Sequence, residues 1–401
     1  MTRRQAFRRF TDSKNGAVFP GGGLIFDPTG NLYGISDGGK NHGGGTVFKL
    51  TRNSDGSWTE SVLYSFCSPP KCTDGGYPAG LIFDQEGNLY GATWEGGTQG
   101  GGVIFKLSQD PGGSWTENVL YNFCSLSNCV DGDASEADLI FDSAGNLYGT
   151  TWAGGSHGNG VVFKLTHNSG GKWTESVLHS FTGNDGMHPA AGLIFDGVGN
   201  LYGTTEQGGG SRSCDRGCGV VFELTPTSNG GWKEKVVHRF TGGKDGFAPF
   251  DRLIFDGAGN LYGTTNEGGN DTCVDYSCGI VFQLTPNASG NWKETVLHHF
   301  TGRADGGCPY AGVISDQSGN LYGTTILGGD LSSCPPGGCG VVFRLAPTSN
   351  GRWKETLLHA FHDHPGYEPW GGLIFDEAGN LYGTTAGDKT TTFGSVFEIT
   401  P

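Results

Sequence analysis

"GLIFDGVGNLYGTTEQGG" (192–209) decides the fold, because nearly the same text is written seven times along the chain. Its centre, GNLYG, begins at Gly30, Gly87, Gly145, Gly199, Gly259, Gly319 and Gly379, at steps of 57, 58, 54, 60, 60 and 60 residues. A period of this size marks a repeat architecture. Within one copy, GLIFD (192–196) is a short apolar run, GVGN a turn signal and LYGTT (201–205) a second β-rich run, so the two form a hairpin. GVVFELT (219–225) follows as a third strand, and WKEKVVHRF (232–240), alternating with period two, as a fourth. No segment carries a helical apolar period.

Four antiparallel strands in each 54–60-residue copy describe a propeller blade, and seven copies describe seven blades. One blade cannot bury both of its faces, whereas a ring packs each face against a neighbour. We therefore expect an all-β, seven-bladed β-propeller forming a single domain over 1–401, with blades starting near 23, 80, 138, 192, 252, 312 and 372. The last copy stops at GSVFEITP (394–401), a third strand without a fourth, while RQAFRRFTD (4–12) aligns with the fourth-strand text KVVHRFTGG (235–243). Residues 4–10 are thus expected to complete blade 7 as its outer strand, with Phe7 and Phe10 packing where later blades place Val and Phe. This also accounts for Arg3 and Arg4 better than a twin-arginine export signal, since no apolar run follows them.

The features GLIFD..GNLYGTT..GG, GVVF.L and W.E.VLH.F resemble the tandem repeats called GloVer repeats, over essentially residues 4–401. The resemblance implies a propeller-like repeat fold in an exported bacterial protein and brings no catalytic residues. No C-terminal anchor of the kind such proteins can carry is read in this sequence. The D-x-x-G-N-L-Y hairpin is also similar to the first hairpin of NHL-type propeller repeats, and NSDGSW (53–58) weakly resembles the Asp-box turn of sialidase-like propellers.

Composition narrows the function classes. Glycine supplies 75 of the 401 residues, at fixed places in the repeat, which is turn punctuation. The net charge of −15 argues against a nucleic-acid partner. No run of 18 apolar residues exists, so no membrane span is expected. Ten of the eleven cysteines form close pairs: Cys67/Cys72, Cys124/Cys129, Cys214/Cys218, Cys273/Cys278 and Cys334/Cys339, leaving Cys308. Each pair sits in its own repeat, without the four convergent ligands of a structural zinc site, so we read local disulfides and no metal. Disulfides imply an extracellular or periplasmic location, although no signal peptide is read in this chain.

Propeller geometry sends the cysteine-bearing loops to one face and the D-x-x-G-N turns to the other. The repeated Asp27, Asp84, Asp142, Asp196, Asp256, Asp316 and Asp376 are read as turn-closing residues, because one Asp and one Asn per turn are too few for calcium. The strand-4 tryptophans (Trp58, Trp115, Trp173, Trp232, Trp292, Trp353) and His179, His238, His298 and His359 are read as packing residues of the outer strand.

Residues that break the repeat carry the functional signal. Trp94 and Trp152 follow strand 2 in adjacent blades, and Glu206 holds that position in blade 4. Before strand 1, where small residues are usual, stand Glu136 and Asp138, then Phe250, Asp251 and Arg252, then Tyr310 and Trp370. All map to the channel mouth on the cysteine-bearing face. Flat aromatic rings beside carboxylates and an arginine suit a carbohydrate, stacked on indole and hydrogen-bonded at its hydroxyls. The bland alternative is a plug of large residues with internally paired charges.

Three functions are open. The first is a secreted binding protein for a glycan or a protein partner, acting through Trp94, Trp152, Glu206, Phe250, Asp251, Arg252, Tyr310 and Trp370. The second is a glycoside hydrolase or polysaccharide lyase, with Glu136, Asp138 and Asp251 as acid, base or nucleophile and Arg252 neutralising an acidic sugar. The third is a structural or adhesive module. The lack of a nucleophile motif, a metal triad or a catalytic histidine near the mouth favours binding over enzyme. A monomer without cofactor is expected.

Overall fold

The computed structural model describes the chain except residues 1–2, 10–19, 21, 39–42, 69–70, 270–277, 333, 335–336, 363–367 and 387–393, with residues 3–9 described in their backbone alone. The expected packing of Phe7 and Phe10, and Cys273, therefore fall outside the described residues.

Seven four-stranded antiparallel sheets form, one per repeat. Blade 4 shows the pattern: Ile194–Phe195, Leu201–Thr205, Val220–Pro226 and Trp232–Arg239, in order from the inner to the outer strand. The first strand is shorter than the apolar run that encodes it. Blade 7 is assembled from both ends of the chain: Arg3–Arg9 pairs antiparallel with Ser395–Thr400, Arg3 opposite Thr400 and Arg9 opposite Ser395. That pairing covers an edge that would otherwise present unpaired backbone groups. Among the described residues there is no α-helix, only a single 3-10 turn at Ser127–Cys129, and no helix is long and apolar enough to cross a membrane.

The two glycines of GNLYG have different reasons. Gly199 turns the hairpin at φ +94°, a left-handed conformation that a side chain would strain. Gly203 lies under the Phe222 ring, where a Cβ would come within 2.6 Å of Cζ. The hairpin aspartates close their turns as expected. In blade 1, Asp27 Oδ1 accepts the backbone N–H of Asn31 at 2.9 Å, and Oδ2 accepts Asn31 Nδ2 at 2.7 Å and the Tyr33 hydroxyl at 3.1 Å. Burial alone would raise the pKa of Asp27, but the bonds from Asn31 and Thr29 outweigh it and hold the carboxyl at about 2.

One apolar cluster fills each of the seven blade interfaces. Leu24, Phe48 and Leu50 of blade 1 meet Tyr382 and Val396 of blade 7, and equivalent clusters follow around the ring. The strand-4 tryptophans are part of them. Trp232 stands edge-on to Tyr148 of the preceding blade at 6.3 Å, and Trp292 to Tyr202 at 6.0 Å.

A polar cluster that sequence reasoning missed accompanies these interfaces. The residue two before the strand-4 phenylalanine meets an aspartate of the following loop: Tyr64 donates to Asp74 at 3.0 Å, Tyr121 to Asp131 at 2.8 Å, and His179 Nε2 lies 3.0 Å from Asp185. A strand-4 glutamate of the next blade faces each pair. Its Oε1 is buried without a hydrogen-bond partner in Glu117, Glu175, Glu234 and Glu294. Burial, then the nearby Asp131, pushes Glu175 up to about 8; burial and Asp74 push Glu117 to about 7. A carboxyl whose pKa is raised by folding binds its proton more tightly in the native state. Stability therefore falls as pH rises from about 4.5 to about 8. Glu175→Gln keeps a neutral group there at all pH values. We expect it to raise stability at pH 8.5 by about 1–2 kcal/mol, after discounting for solvent screening, and to change it little at pH 5. Urea unfolding at the two pH values checks this; an equal effect at both would refute the protonated glutamate.

Candidate functional site

Each blade reaches the channel mouth through the segment before its first strand. The residue opening that segment adopts a left-handed backbone although it is not glycine: Tyr77, Ala134, His188, Ala248, Cys308 and Glu368 have φ between 55° and 60°. Such a conformation persists where surrounding bonds over-determine it. Here the N–H reaches back to the preceding blade and the carbonyl binds the residue just after strand 2 of its own blade. His188 donates to the Asn159 carbonyl at 2.9 Å and accepts from Glu206 N–H at 3.1 Å; Glu368 donates to the Cys339 carbonyl and accepts from Ala386 N–H, both at 3.1 Å.

The disulfides support this stitching. Cys67–Cys72, Cys124–Cys129, Cys214–Cys218 and Cys334–Cys339 are bonded, and Cys278 is disulfide-bonded with its expected partner outside the described residues. In blades 4, 5 and 6 the second cysteine supplies the carbonyl that anchors the next blade's mouth residue: Cys218 for Ala248, Cys278 for Cys308 and Cys339 for Glu368. Cys308 is free, and its thiol donates to Asn266 Oδ1. Burial, then Glu267, pushes that thiol up to about 12, so it is a poor nucleophile. Alkylation of the denatured, unreduced chain is expected to modify Cys308 alone; modification of further cysteines would break the pairing scheme. The bonded residues are only four or five apart, so reduction should cost about 2–3 kcal/mol per bridge at most and leave the ring folded.

The mouth opens into a cavity of about 760 Å³, walled in part by Trp94, Glu136, Asp138, Arg252, Tyr310 and Trp370. This is within the range of about 300–1,000 Å³ typical of small-molecule sites. Two aromatic arcs stand at its rim. Phe250, Tyr310 and Trp370, one from each of three consecutive blades, form a chain with ring centroids 4.3 Å and 4.5 Å apart. Trp94, Trp152 and His188 form the second, with centroids 5.8 Å and 3.7 Å apart, the latter pair stacked at 15°.

Of the residues singled out in the sequence, Trp94, Phe250, Tyr310, Trp370, Glu136, Asp138, Asp251 and Arg252 all line the cavity. Trp152 and Glu206 stand beside them, outside its wall, with Trp152 Nε1 3.5 Å from Glu206 Oε2. His188, not singled out in the sequence, stands in the second arc with its Nδ1 2.9 Å from the Trp152 carbonyl oxygen. Its position before a proline is held by a different residue in most blades, so the sequence offered no contrast to reveal it. Glu368, likewise missed, accepts the indole N–H of Trp370 at 3.3 Å.

The charges divide into committed and available groups. Asp251 accepts backbone N–H groups of Gly312 and Arg252, each at 2.6 Å, so it pins blade 5 to blade 6. Arg252 lies 3.8 Å from Asp138, a pair still partly open to solvent. Burial raises Asp138, Arg252 opposes the rise and Asp251 adds to it. Glu136 accepts no hydrogen bond from a described residue; burial, then the charge of Glu206, pushes it up to about 7. Burial followed by the same two glutamates raises the Tyr310 phenol. Among the described residues, His179/Asp185/Glu234 and His238/Asp245/Glu294 bring three possible metal-ligand atoms within 4.8 Å of one another. Both clusters sit at the blade interfaces on the outer strands. A third group, Cys124/Cys129/Asp133, has its two sulfurs committed to a disulfide.

Fold and site together define a disulfide-bonded, seven-bladed β-propeller with an acidic, aromatic-rimmed cavity at one mouth of its channel. The chain belongs to the Gloeobacter/Verrucomicrobia repeat family, whose repeat matches residues 2–140, 115–334 and 211–401. No curated protein matches the chain. Among solved structures it is similar to the extracellular domain of BT3049 of B. thetaiotaomicron, a protein provisionally assigned as a hybrid two component system, with a TM-score of 0.54 and 15% identity over 99% of this chain. The chain spans 41% of that protein's length. It also matches a luciferin-regenerating enzyme at a TM-score of 0.48 and 16% identity, over 82% of this chain and 94% of the other. At 15% identity the likeness to the extracellular domain is one of fold.

Proposed function

We propose that this protein is a secreted, monomeric propeller that binds a glycan at the channel mouth on its disulfide-braced face. The observation that carries the reading is the pair of aromatic arcs bordering the cavity, since sugar rings stack their C–H faces on such surfaces. The rigid stitching of the rim pre-organises it, which lowers the entropic cost of binding. The local disulfides favour an oxidising compartment. A hydrolase reading is favoured by one feature, the raised carboxyl of Glu136, which suits a general acid. The commitments of Asp251 and of the Asp138–Arg252 pair leave it few partners.

A glycan array followed by a reducing-end assay tests both. Binding without release of reducing ends is expected. Release that disappears in Glu136→Gln would establish the enzyme instead, and an array without any bound glycan would overturn the glycan reading.

A further inference from the structure

The charge around the cavity is lopsided. Among its described lining residues, the acidic side chains Glu136, Asp138, Asp251 and Glu368 face one cation, Arg252. That cation is already paired with Asp138. Two acceptor groups, Glu368 and Glu206, are each fixed to an indole N–H of an aromatic arc, at 3.3 Å on Trp370 and 3.5 Å on Trp152. Each thus sets a carboxylate at the edge of an indole. Glu136, on the wall of the same cavity and within reach of the Glu206 charge, is half-buried and without a hydrogen-bond donor among the described residues.

At Trp370, whose ring walls the cavity, an indole face with the Glu368 carboxylate at its edge is a site for an ammonium group carried on a ring, and Glu206, beside the His188-covered Trp152, adds negative charge at the rim. The ring stacks, the cation is drawn to the π-system, and the carboxylate neutralises it. A neutral sugar can offer these acidic groups only hydroxyl hydrogen bonds, whereas an ammonium also supplies opposite charge, and an acidic sugar would meet like charge on most sides. We propose that the ligand of this mouth is a cationic glycan, one whose sugar units bear free amino groups, with Glu206 and Glu368 receiving the ammonium groups. The inference rests on the glycan reading above and narrows it. It excludes the acidic sugar for which Arg252 was a candidate partner.

The test compares hexamers of glucosamine, of N-acetylglucosamine and of galacturonic acid by calorimetry at pH 6 in 150 mM salt. The salt suppresses general attraction of a polycation to a chain of net charge −15. The glucosamine hexamer is expected to bind at least tenfold more tightly than its acetylated counterpart, with no binding of the acidic one. The variant Glu206→Gln/Glu368→Gln should lose at least tenfold in affinity for the glucosamine hexamer. A control of equal charge change, Glu86→Gln/Glu377→Gln, alters two exposed turn residues and should lose less than twofold. Melting curves of both variants confirm that each is folded.

Equal or tighter binding of the acetylated hexamer would overturn the cationic preference while leaving the glycan reading intact. An equal loss in the mouth and control variants would assign the binding to overall charge, and either that outcome or no loss in the mouth variant would overturn the proposal. Failure of all three hexamers, with an array that nevertheless shows a different bound glycan, would refute the amino-sugar class alone. Failure on the array as well would refute both readings.

Discussion

A chain lacking residues 1–9 is expected to lose about 5 kcal/mol of stability and to self-associate. Of these, Arg3–Arg9 forms the outer strand of blade 7, paired along Ser395–Thr400, and the opposite end of the chain supplies the rest of that sheet. Removing them uncovers the backbone edge of Ser395–Thr400. For a domain of this size the loss should lower the melting midpoint by about 10 °C, since each kcal/mol shifts it by roughly 2 °C. Calorimetry and analytical ultracentrifugation read the two effects. A truncated protein that melts within 2 °C or so of the parent and stays monomeric would show that the ring does not need this strand.

Trp370→Ala and Trp94→Ala are each expected to weaken binding of a glycan identified on the array by about thirtyfold, or roughly 2 kcal/mol. Both rings wall the cavity and belong to separate arcs. Trp232→Ala should behave in the opposite way. Its indole packs between blades 3 and 4 against Tyr148, so its loss should cost about 2–3 kcal/mol of stability and leave the affinity of the folded protein unchanged. Titration calorimetry with parallel urea unfolding separates the two classes. Unchanged affinity in both Trp370→Ala and Trp94→Ala would remove the mouth as the binding site.

The blade was legible because its determinants are local. Asp196 bonds to the turn residues two and four positions on, and Gly203 receives the ring of Phe222 within the same sheet. Closure was legible for a related reason: the missing fourth strand of the last repeat and its surplus at the start are visible as text. Most mouth residues were legible because they interrupt a repeat that is small elsewhere, as Glu136, Phe250, Tyr310 and Trp370 do. Residues at positions that vary in every blade gave no such contrast. His188, Cys308 and Glu368 hold one such position, and their left-handed backbone follows from bonds to the neighbouring blade, which no local pattern records.

Trp94 and Trp152 show the limit most directly. They occupy equivalent places in adjacent repeats, with nearly identical text around them. The next blade sets His188 against Trp152 and the small Ala134 at the corresponding position beside Trp94, so one indole is covered and the other faces the cavity. Likewise Asp251 looked free to act on a ligand until Gly312, 61 residues on, supplied it with a backbone N–H. The sequence by itself thus determined the strands, the hairpins, the number of blades and the way the ring closes, since hydrogen bonds and apolar alternation within some sixty residues specify them. Only the tertiary structure decided which mouth side chains are spent on holding blades together and which are left facing the cavity, because that division depends on contacts between blades that exist only once the ring has closed.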